Sequence, residues 1–310
     1  MFLNIKKGVD LASLTTFKIG GKAKYFLKTK NEKDLIRAFK WAKKRSIPIF
    51  LLGGGSNILV SDKGFSGLVI KLNSNKIKKE LEYDNKLRLR VGAGLAMSKL
   101  LGYSIKHNLR GMIWATGIPG TIGGGVYGNA GAHNKSIGDY VLKAKIFSKG
   151  KIKTINCKNK FSYRNSFFKK NNLIIIEVLL ELEKGINASD INNLKKWRLD
   201  RVNNQVAKMT PGCIFKNVPL KDFPKTIKNK YPDLKNFKKI VPTGWLIDNC
   251  KLKGKQIGNI KISEKHANFM VNLGKGRSKE VLELIGLVKA RVKKKFGVSL
   301  EREIIYLKDK

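Results

Sequence analysis

Gly117-Ile118-Pro119-Gly120-Thr121-Ile122-Gly123-Gly124-Gly125-Val126-Tyr127-Gly128-Asn129-Ala130-Gly131 is the stretch around which the chain is organised, with seven glycines in fifteen residues. Glycine adopts positive φ without strain and lets another group approach the main chain closely. Successive bare N–H groups, in turns or at a helix start, form a concave cradle for anionic oxygens. A flexible linker would be rich in Ser and Gly and poor in Ile, Val and Tyr. The apolar residues set between these glycines argue instead for a packed, shaped loop. A diphosphate is its natural guest.

Two common nucleotide loops fail on spacing. Gly120 and Gly125 fit the start of a P-loop, but Val126 and Tyr127 stand where its Lys and hydroxyl belong. The dinucleotide fingerprint GxGxxG fails as well. Gly53-Gly54-Gly55 is followed by Ile58 at the third glycine position, and Gly92-Ala93-Gly94 by Met97.

A chain of 310 residues has room for two or three small domains. Its 42% hydrophobic and 28% charged residues are those of a globular protein. The net charge of +43 comes from 54 Lys and only 11 Arg, spread along the chain. Phosphate and base readers favour Arg clusters and aromatic platforms, and neither stands out, so no nucleic-acid partner is expected. Lys, Asn and Ile are abundant together, which marks compositional bias, while the charge still favours anionic substrates in general. Cys157, Cys213 and Cys250 lie far apart with no CxxC pair, so neither a disulfide framework nor a metal site is expected. The N-terminus shows no signal-peptide apolar region and no run approaches the ~18 residues of a membrane span. The expectation is a cytoplasmic, monomeric protein.

Taken in order, residues 24–28 read as a strand, and Asn31 caps a helix to about Arg45. Residues 48–52 form a strand running into Gly53-Gly54-Gly55-Ser56-Asn57, followed by strands at 58–60 and 67–72. A second unit begins near Lys78, with Leu87, Leu89 and Val91 alternating along a strand and residues 96–107 forming a helix with Leu100, Leu101 and Ile105 inward. A hairpin turns at Ser148-Lys149-Gly150, a strand covers 173–182, and a helix runs from 188 to 202. Ser278 is expected to cap a long helix to Phe296, and residues 300–307 form the last strand.

The ordered set of motifs resembles the UDP-N-acetylenolpyruvoylglucosamine reductase family over about residues 14–307. Its pieces are Thr15-Thr16-Phe17-Lys18-Ile19-Gly20-Gly21, Leu52-Gly53-Gly54-Gly55-Ser56-Asn57, the glycine stretch, Tyr163-Arg164, Gly212-Cys213-Ile214-Phe215-Lys216-Asn217, Trp245-Leu246-Ile247, Lys253-Gly254, His266-Ala267-Asn268-Phe269 and Leu300-Glu301-Arg302-Glu303. The short segment between Tyr163-Arg164 and Gly212 resembles the shorter family type, which lacks an extra substrate loop. The resemblance implies an α+β, two-lobed FAD-binding fold of the vanillyl-alcohol-oxidase (PCMH) type with a smaller C-terminal α+β substrate domain. On that basis residues 1–202 form the FAD-binding domain, with lobes at about 1–72 and 73–202, and 203–302 the substrate domain. The last strand, 303–310, returns to the first lobe.

The family reaction passes a hydride from NADPH to FAD and then to the outer carbon of an enolpyruvyl double bond on a UDP-sugar. The resemblance implies that the FAD diphosphate meets the main chain of Gly53, Gly54, Gly55, Ser56 and Asn57 and of Gly117, Ile118, Pro119, Gly120, Gly123 and Gly124. Charge develops beside the substrate carboxylate, and Arg164 and Glu303 match the family pair that spreads it. Arg164 offers a fixed charged fork; Glu303 assists if it holds a proton. Glu301 lies two residues before Glu303 on the same strand face, so either could point inward, and the motif favours Glu303. Cys213 stands where the family usually has a serine that donates the final proton; the other reading is a small buried hydrophobe. Tyr163, Lys216 and Asn217 match substrate-binding positions, with Lys253, Gln256, His266 and Asn268 as further substrate-side candidates.

Arg201-Val202-Asn203-Asn204-Gln205-Val206 lacks the proline usual in the family, and Lys216-Asn217 is followed by Val218 before Pro219. The rival enzyme reading is another FAD-dependent oxidoreductase of the same fold, which would be reoxidised rapidly by O₂ and have no need of the Glu303 strand.

Overall fold

In the computed structural model, which describes residues 3–203 and 209–309, the chain divides into two units with interleaved sequences. The first takes Met1–Val9, Ala23–Gly54 and Ser66–Asn203, and the second Asp10–Lys22, Gly55–Phe65 and Asn204–Lys310. Both mix helices with sheets, as the α+β expectation required. The division departs from the expected boundaries at residues 10–22, 55–65 and 303–310, which group with the C-terminal unit. The cause is burial: Phe17, Ile19 and Leu59 belong to the same apolar core as Val288 and Phe296. The strand Ile305–Leu307 pairs in parallel with Ile58–Val60 within that unit. The stretch 204–206, where the family proline is missing, lies outside the described residues.

In the first unit, one sheet orders its strands Lys6–Asp10, Lys22–Thr29, Phe65–Leu72 and Ile49–Leu52. The helix Glu32–Lys44 begins where Asn31 Oδ1 accepts from the Asp34 N–H at 2.8 Å, and it buries Leu35, Ala38 and Ala42. The second sheet is antiparallel throughout, in the order Lys151–Asn156, Val141–Ser148, Ile174–Glu183, Lys86–Gly92 and Ile77–Tyr83. Its 148–151 hairpin turns on Lys149 (φ 48°) and Gly150 (φ 81°), the left-handed pair that matches strand twist. Leu87, Leu89 and Val91 are buried, as their alternation predicts. The helix Met97–Lys106 buries Met97, Leu100, Leu101 and Ser104, an i, i+3, i+4, i+7 stripe, and leaves Ile105 exposed at its edge. The inward place given to Ile105 is therefore corrected. Near the turn of the edge hairpin of this sheet, Glu181 accepts from Tyr83 Oη at 2.6 Å and Arg88 Nε at 2.9 Å and pairs with Lys86 at 3.2 Å.

In the second unit, the strands Gln256–Ile257, Ile260–Ile262 and Met270–Asn272 form an antiparallel sheet. The helix Ser278–Phe296 buries Val281, Leu284, Ile285, Val288, Val292 and Phe296. Ser278 is not its cap, because it is already helical. Asp62 takes that place: its carboxylate accepts from the N–H groups of Ser278 (2.7 Å) and Lys279 (3.2 Å), while Ser278 Oγ accepts from Asp62 N–H (3.0 Å). A carboxylate there also opposes the helix dipole. No helix among the described residues is long and apolar enough to cross a membrane.

Candidate active site

The glycine stretch is a turn followed by a short helix. Gly117 (φ 69°) and Gly120 (φ 120°) occupy left-handed backbone, and Thr121 then caps the helix Ile122–Gly128 by accepting from Gly124 N–H at 3.4 Å. Four of the seven residues in that helix are glycine, so packing rather than propensity holds it. A Cβ on Gly54 would lie 2.5 Å from Gly120 Cα, and one on Gly53 2.9 Å from Thr121 Oγ1, so the two glycine turns abut, Gly54 against main chain and Gly53 against the Thr121 hydroxyl.

The glycines within the stretch differ in what they permit. Gly123 donates to Ala93 O at 2.8 Å, and a Cβ there would meet Ala93 Cβ at 2.7 Å, so this residue is required by the chain itself. Ile122 N–H is likewise engaged, by Leu95 O at 2.8 Å. Gly124 has room, the nearest atom to its added Cβ being Thr121 Oγ1 at 3.5 Å. Trp114, three residues before Gly117, is buried with an indole N–H that meets no acceptor among the described residues. Bare turns laid side by side with a buried donor close by in sequence fit a large anionic cofactor.

Tyr163 and Arg164 form the two-residue turn of a small hairpin in which Phe161 pairs with Ser166 and Ser162 with Asn165. Arg164 is half-buried and left-handed (φ 51°), with its guanidinium carbon 5.4 Å from the centre of the exposed Tyr163 ring. The hairpin is tied to the far end of the glycine helix. Asn129 Nδ2 donates to Ser162 O at 2.9 Å, and Ser166 Oγ donates to Tyr127 O at 2.6 Å.

In the second unit the segment carrying Cys213 lies between two others. On one side Cys213 bridges Phe269, and Ile214 N–H donates to Asn268 O at 2.9 Å. On the other, Glu303 N–H donates to Ile214 O at 2.8 Å and Lys216 N–H to Glu301 O at 3.0 Å. Gly212 takes φ 84° immediately before the half-buried Cys213. Cys213 and Glu303 are thus brought to adjoining segments of chain. Lys216 Nζ pairs with Glu301, which is 71% exposed, whereas Glu303 is half-buried. Asn57 joins the same unit, its Nδ2 donating to Glu303 O at 3.2 Å. Ser56 precedes it, and Gly55 before them (φ 67°) accepts from Thr16 N–H at 3.0 Å.

Several expected substrate contacts have structural work to do. Asn217 Oδ1 accepts from Thr243 N–H at 3.1 Å, and the Thr243 hydroxyl donates to Lys216 O at 2.6 Å. Asn268, 2% exposed, uses both amide atoms on the main chain of Phe215, at 3.0 and 2.8 Å. Lys253 Nζ donates to Asp248 at 2.6 Å and Gln256 Nε2 to Gly258 O at 2.8 Å. His266 accepts Asn268 N–H on Nδ1 at 3.2 Å, and burial holds its pKa below the ordinary value. Among the described residues no group of three or more His, Cys, Asp and Glu is placed to hold a metal.

A family model described as UDP-N-acetylenolpyruvoylglucosamine reductase, C-terminal domain, matches residues 204–307, and one described as FAD binding domain matches residues 23–156. The chain is 37% identical over 304 residues to the UDP-N-acetylenolpyruvoylglucosamine reductase of Anoxybacillus flavithermus, covering 97% of this chain and 93% of that one. The chain belongs to the UDP-N-acetylenolpyruvoylglucosamine reductase family. The reductase of that name from Solibacter usitatus is 30% identical over 311 residues, covering 98% and 97%. The crystal structure of the reductase from Thermus caldophilus aligns with a TM-score of 0.77 at 28% identity over 98% of this chain and 99% of that one.

Asn129, Thr243 and Asp62 shape the site and its unit without standing among the candidate site residues. Asn129 carries a legible signal, since Asn just past a helix end often takes the left-handed C-terminal position. Thr243 and Asp62 act on partners distant in sequence and carry no local signal.

Proposed function

We propose that this chain reduces the enolpyruvyl group of UDP-N-acetylenolpyruvoylglucosamine to give UDP-N-acetylmuramate, with NADPH as hydride donor, in the cytoplasm. The observation that carries the reading is relatedness over the full length of proteins named for that reductase activity, with an FAD binding domain matched in the N-terminal half. Bound FAD supplies hydride transfer, accepting from NADPH and delivering to the enolpyruvyl double bond. Gly53, Gly54 and the turn Gly117–Gly120 would hold its diphosphate with main-chain groups, and Gly124 would border it.

Arg164 binds the substrate carboxylate in this reading and stabilises the charge that develops beside it. Cys213 gives its thiol proton to the carbon next to the carboxylate, so that the product gains one hydride and one proton in all. An unperturbed thiol, with pKa ~8.5, gives up a proton more readily than an alcohol yet stays mostly protonated near neutrality. Glu303, whose main chain is bonded to Ile214 next to Cys213, supports the carboxylate and the donor. Lys216 serves the anionic sugar nucleotide, and binding would exchange its Glu301 partner for substrate oxygens. Asn217 acts by fixing Thr243 beside Lys216.

The test is a visible spectrum of the purified protein before and after NADPH, and again after the enolpyruvyl sugar nucleotide. The expected course is a flavin spectrum that bleaches and then recovers, with a product heavier by two hydrogens for each NADPH consumed. A colourless protein that takes up no added FAD ends the proposal. Fast recovery with O₂ alone and none with the sugar nucleotide would favour a different oxidoreductase.

A further inference from the structure

We infer that Asn129 is a positioning residue for Arg164, clamping the hairpin that carries it to the end of the glycine helix; this rests on the carboxylate-binding role given to Arg164 above. A hairpin of two paired residues on each strand is too small to hold a fixed shape alone. Its turn is also strained, because Arg164 sits at φ 51°, a conformation disfavoured for a residue with a Cβ. Such a turn persists only where its surroundings over-determine it.

Here the surroundings are one helix end. Asn129, 6% exposed and itself left-handed (φ 47°), closes the helix Ile122–Gly128. Its Nδ2 holds the first hairpin strand through Ser162 O at 2.9 Å, and its Oδ1 accepts from Gly138 N–H at 3.1 Å. The second strand is held by Ser166 Oγ, which donates to Tyr127 O at 2.6 Å and accepts from Lys169 N–H at 3.1 Å. The amide is walled in: a Cβ on Gly138 would lie 2.8 Å from Asn129 Oδ1 and 2.5 Å from Phe161 Cγ. Each hairpin strand is therefore pinned to the last turn of the helix whose first turn belongs to the glycine cradle. The helix works as a spacer that sets the height of the arginine above that cradle.

The experiment uses the full-length holoenzyme. Asn129→Gly keeps the left-handed backbone available and removes only the clamp. It is expected to speed amide hydrogen exchange across residues 161–168 and to leave NADPH bleaching at the wild-type rate. Recovery with the enolpyruvyl substrate should slow by about ten- to a hundredfold, the scale of a small misplacement. In an Arg164→Ala background the same substitution should add almost nothing, because it acts through the arginine. Full additivity with Arg164→Ala, or unchanged exchange with unchanged recovery, overturns the inference. Should Asn129→Gly fail to retain FAD, Ser166→Ala removes the tie on the other strand and carries the same cycle. A wild-type protein that binds FAD but ignores the enolpyruvyl compound removes the functional reading alone, and exchange across 161–168 then decides whether the clamp exists.

Discussion

Glu303 donates its main-chain N–H to the carbonyl of Ile214 at 2.8 Å, which sets it one residue across the ladder from Cys213. The contact is made by main chain, so it survives changes to either side chain. Side-chain substitutions at 213 and 303 therefore test chemistry with the backbone held constant.

At Cys213, serine should remain active, since the hydroxyl occupies the same place and also carries a proton. Alanine should leave bleaching by NADPH intact and slow recovery with substrate by about 10²–10⁴-fold, the usual contribution of a positioned donor. Stopped-flow measurement of the two half-reactions separates these outcomes. Wild-type recovery in the alanine variant would make Cys213 a packing residue.

Glu301 and Glu303 should part company. Glu303→Gln is expected to slow recovery with substrate by about 10²-fold or more. Glu301→Gln removes an exposed carboxylate that pairs with Lys216 and should change kcat by less than about fivefold, because a carboxylate so solvated lies outside the proposed chemistry. Its KM for the sugar nucleotide should fall, because Lys216 no longer has a competing carboxylate. Steady-state kinetics at two salt concentrations check both statements, and a large kcat loss at 301 would reverse the assignment.

Two neighbouring glycines should fail for different reasons. Gly123→Val forces a side chain against Ala93, so the apoprotein itself should melt at a lower temperature. Gly124→Ala meets only Thr121 Oγ1 at ordinary contact distance, so the apoprotein should melt as wild type while FAD is held more weakly. Melting curves with and without added FAD distinguish them. Tight FAD binding by Gly124→Ala would move the cofactor away from that helix.

Acid should loosen the second sheet through Glu181. Its carboxyl is drawn down to about 2, chiefly by the Tyr83 hydroxyl and then by Arg88 and Lys86. A depressed carboxyl stabilises the fold above its ordinary range and loses that contribution as pH falls through the folded value. Glu181→Gln should therefore melt earlier than wild type at about pH 6 and show a smaller further loss by about pH 3. Parallel melting curves across that interval would remove Glu181 from the account.

The strands and most helix ends were legible because each rests on a local rule. Asn31 caps its helix with its own side chain, Lys149-Gly150 supplies the turn its hairpin needs, and Leu87, Leu89 and Val91 alternate into the core. Gly117 and Gly120 likewise announced left-handed turns. What escaped local reading depends on partners far along the chain. Ser278 looked like a cap, but Asp62 performs that task from 216 residues away. Gly123 reads as an opening for a ligand, and its missing Cβ also makes room for Ala93, a contact no local rule announces. Asn268 reads as a substrate-side candidate, and its bonds to the main chain of Phe215, 53 residues away, carry no local signal.

The bond between Asp62 and Ser278 also bears on the order in which the protein is made. Residues 10–22 and 55–65 leave the ribosome early, yet the core and helix they complete are encoded after residue 203. Phe17 and Ile19 precede the first of those residues by nearly two hundred positions and Leu59 by about 145, so none can be packed until they follow. At translation speeds of about 5–20 residues per second that wait is on the order of seven to forty seconds. The same interleaving forbids a clean cut: a fragment beginning at Asn204 would carry the long helix without Asp62 and its core without three of its apolar members.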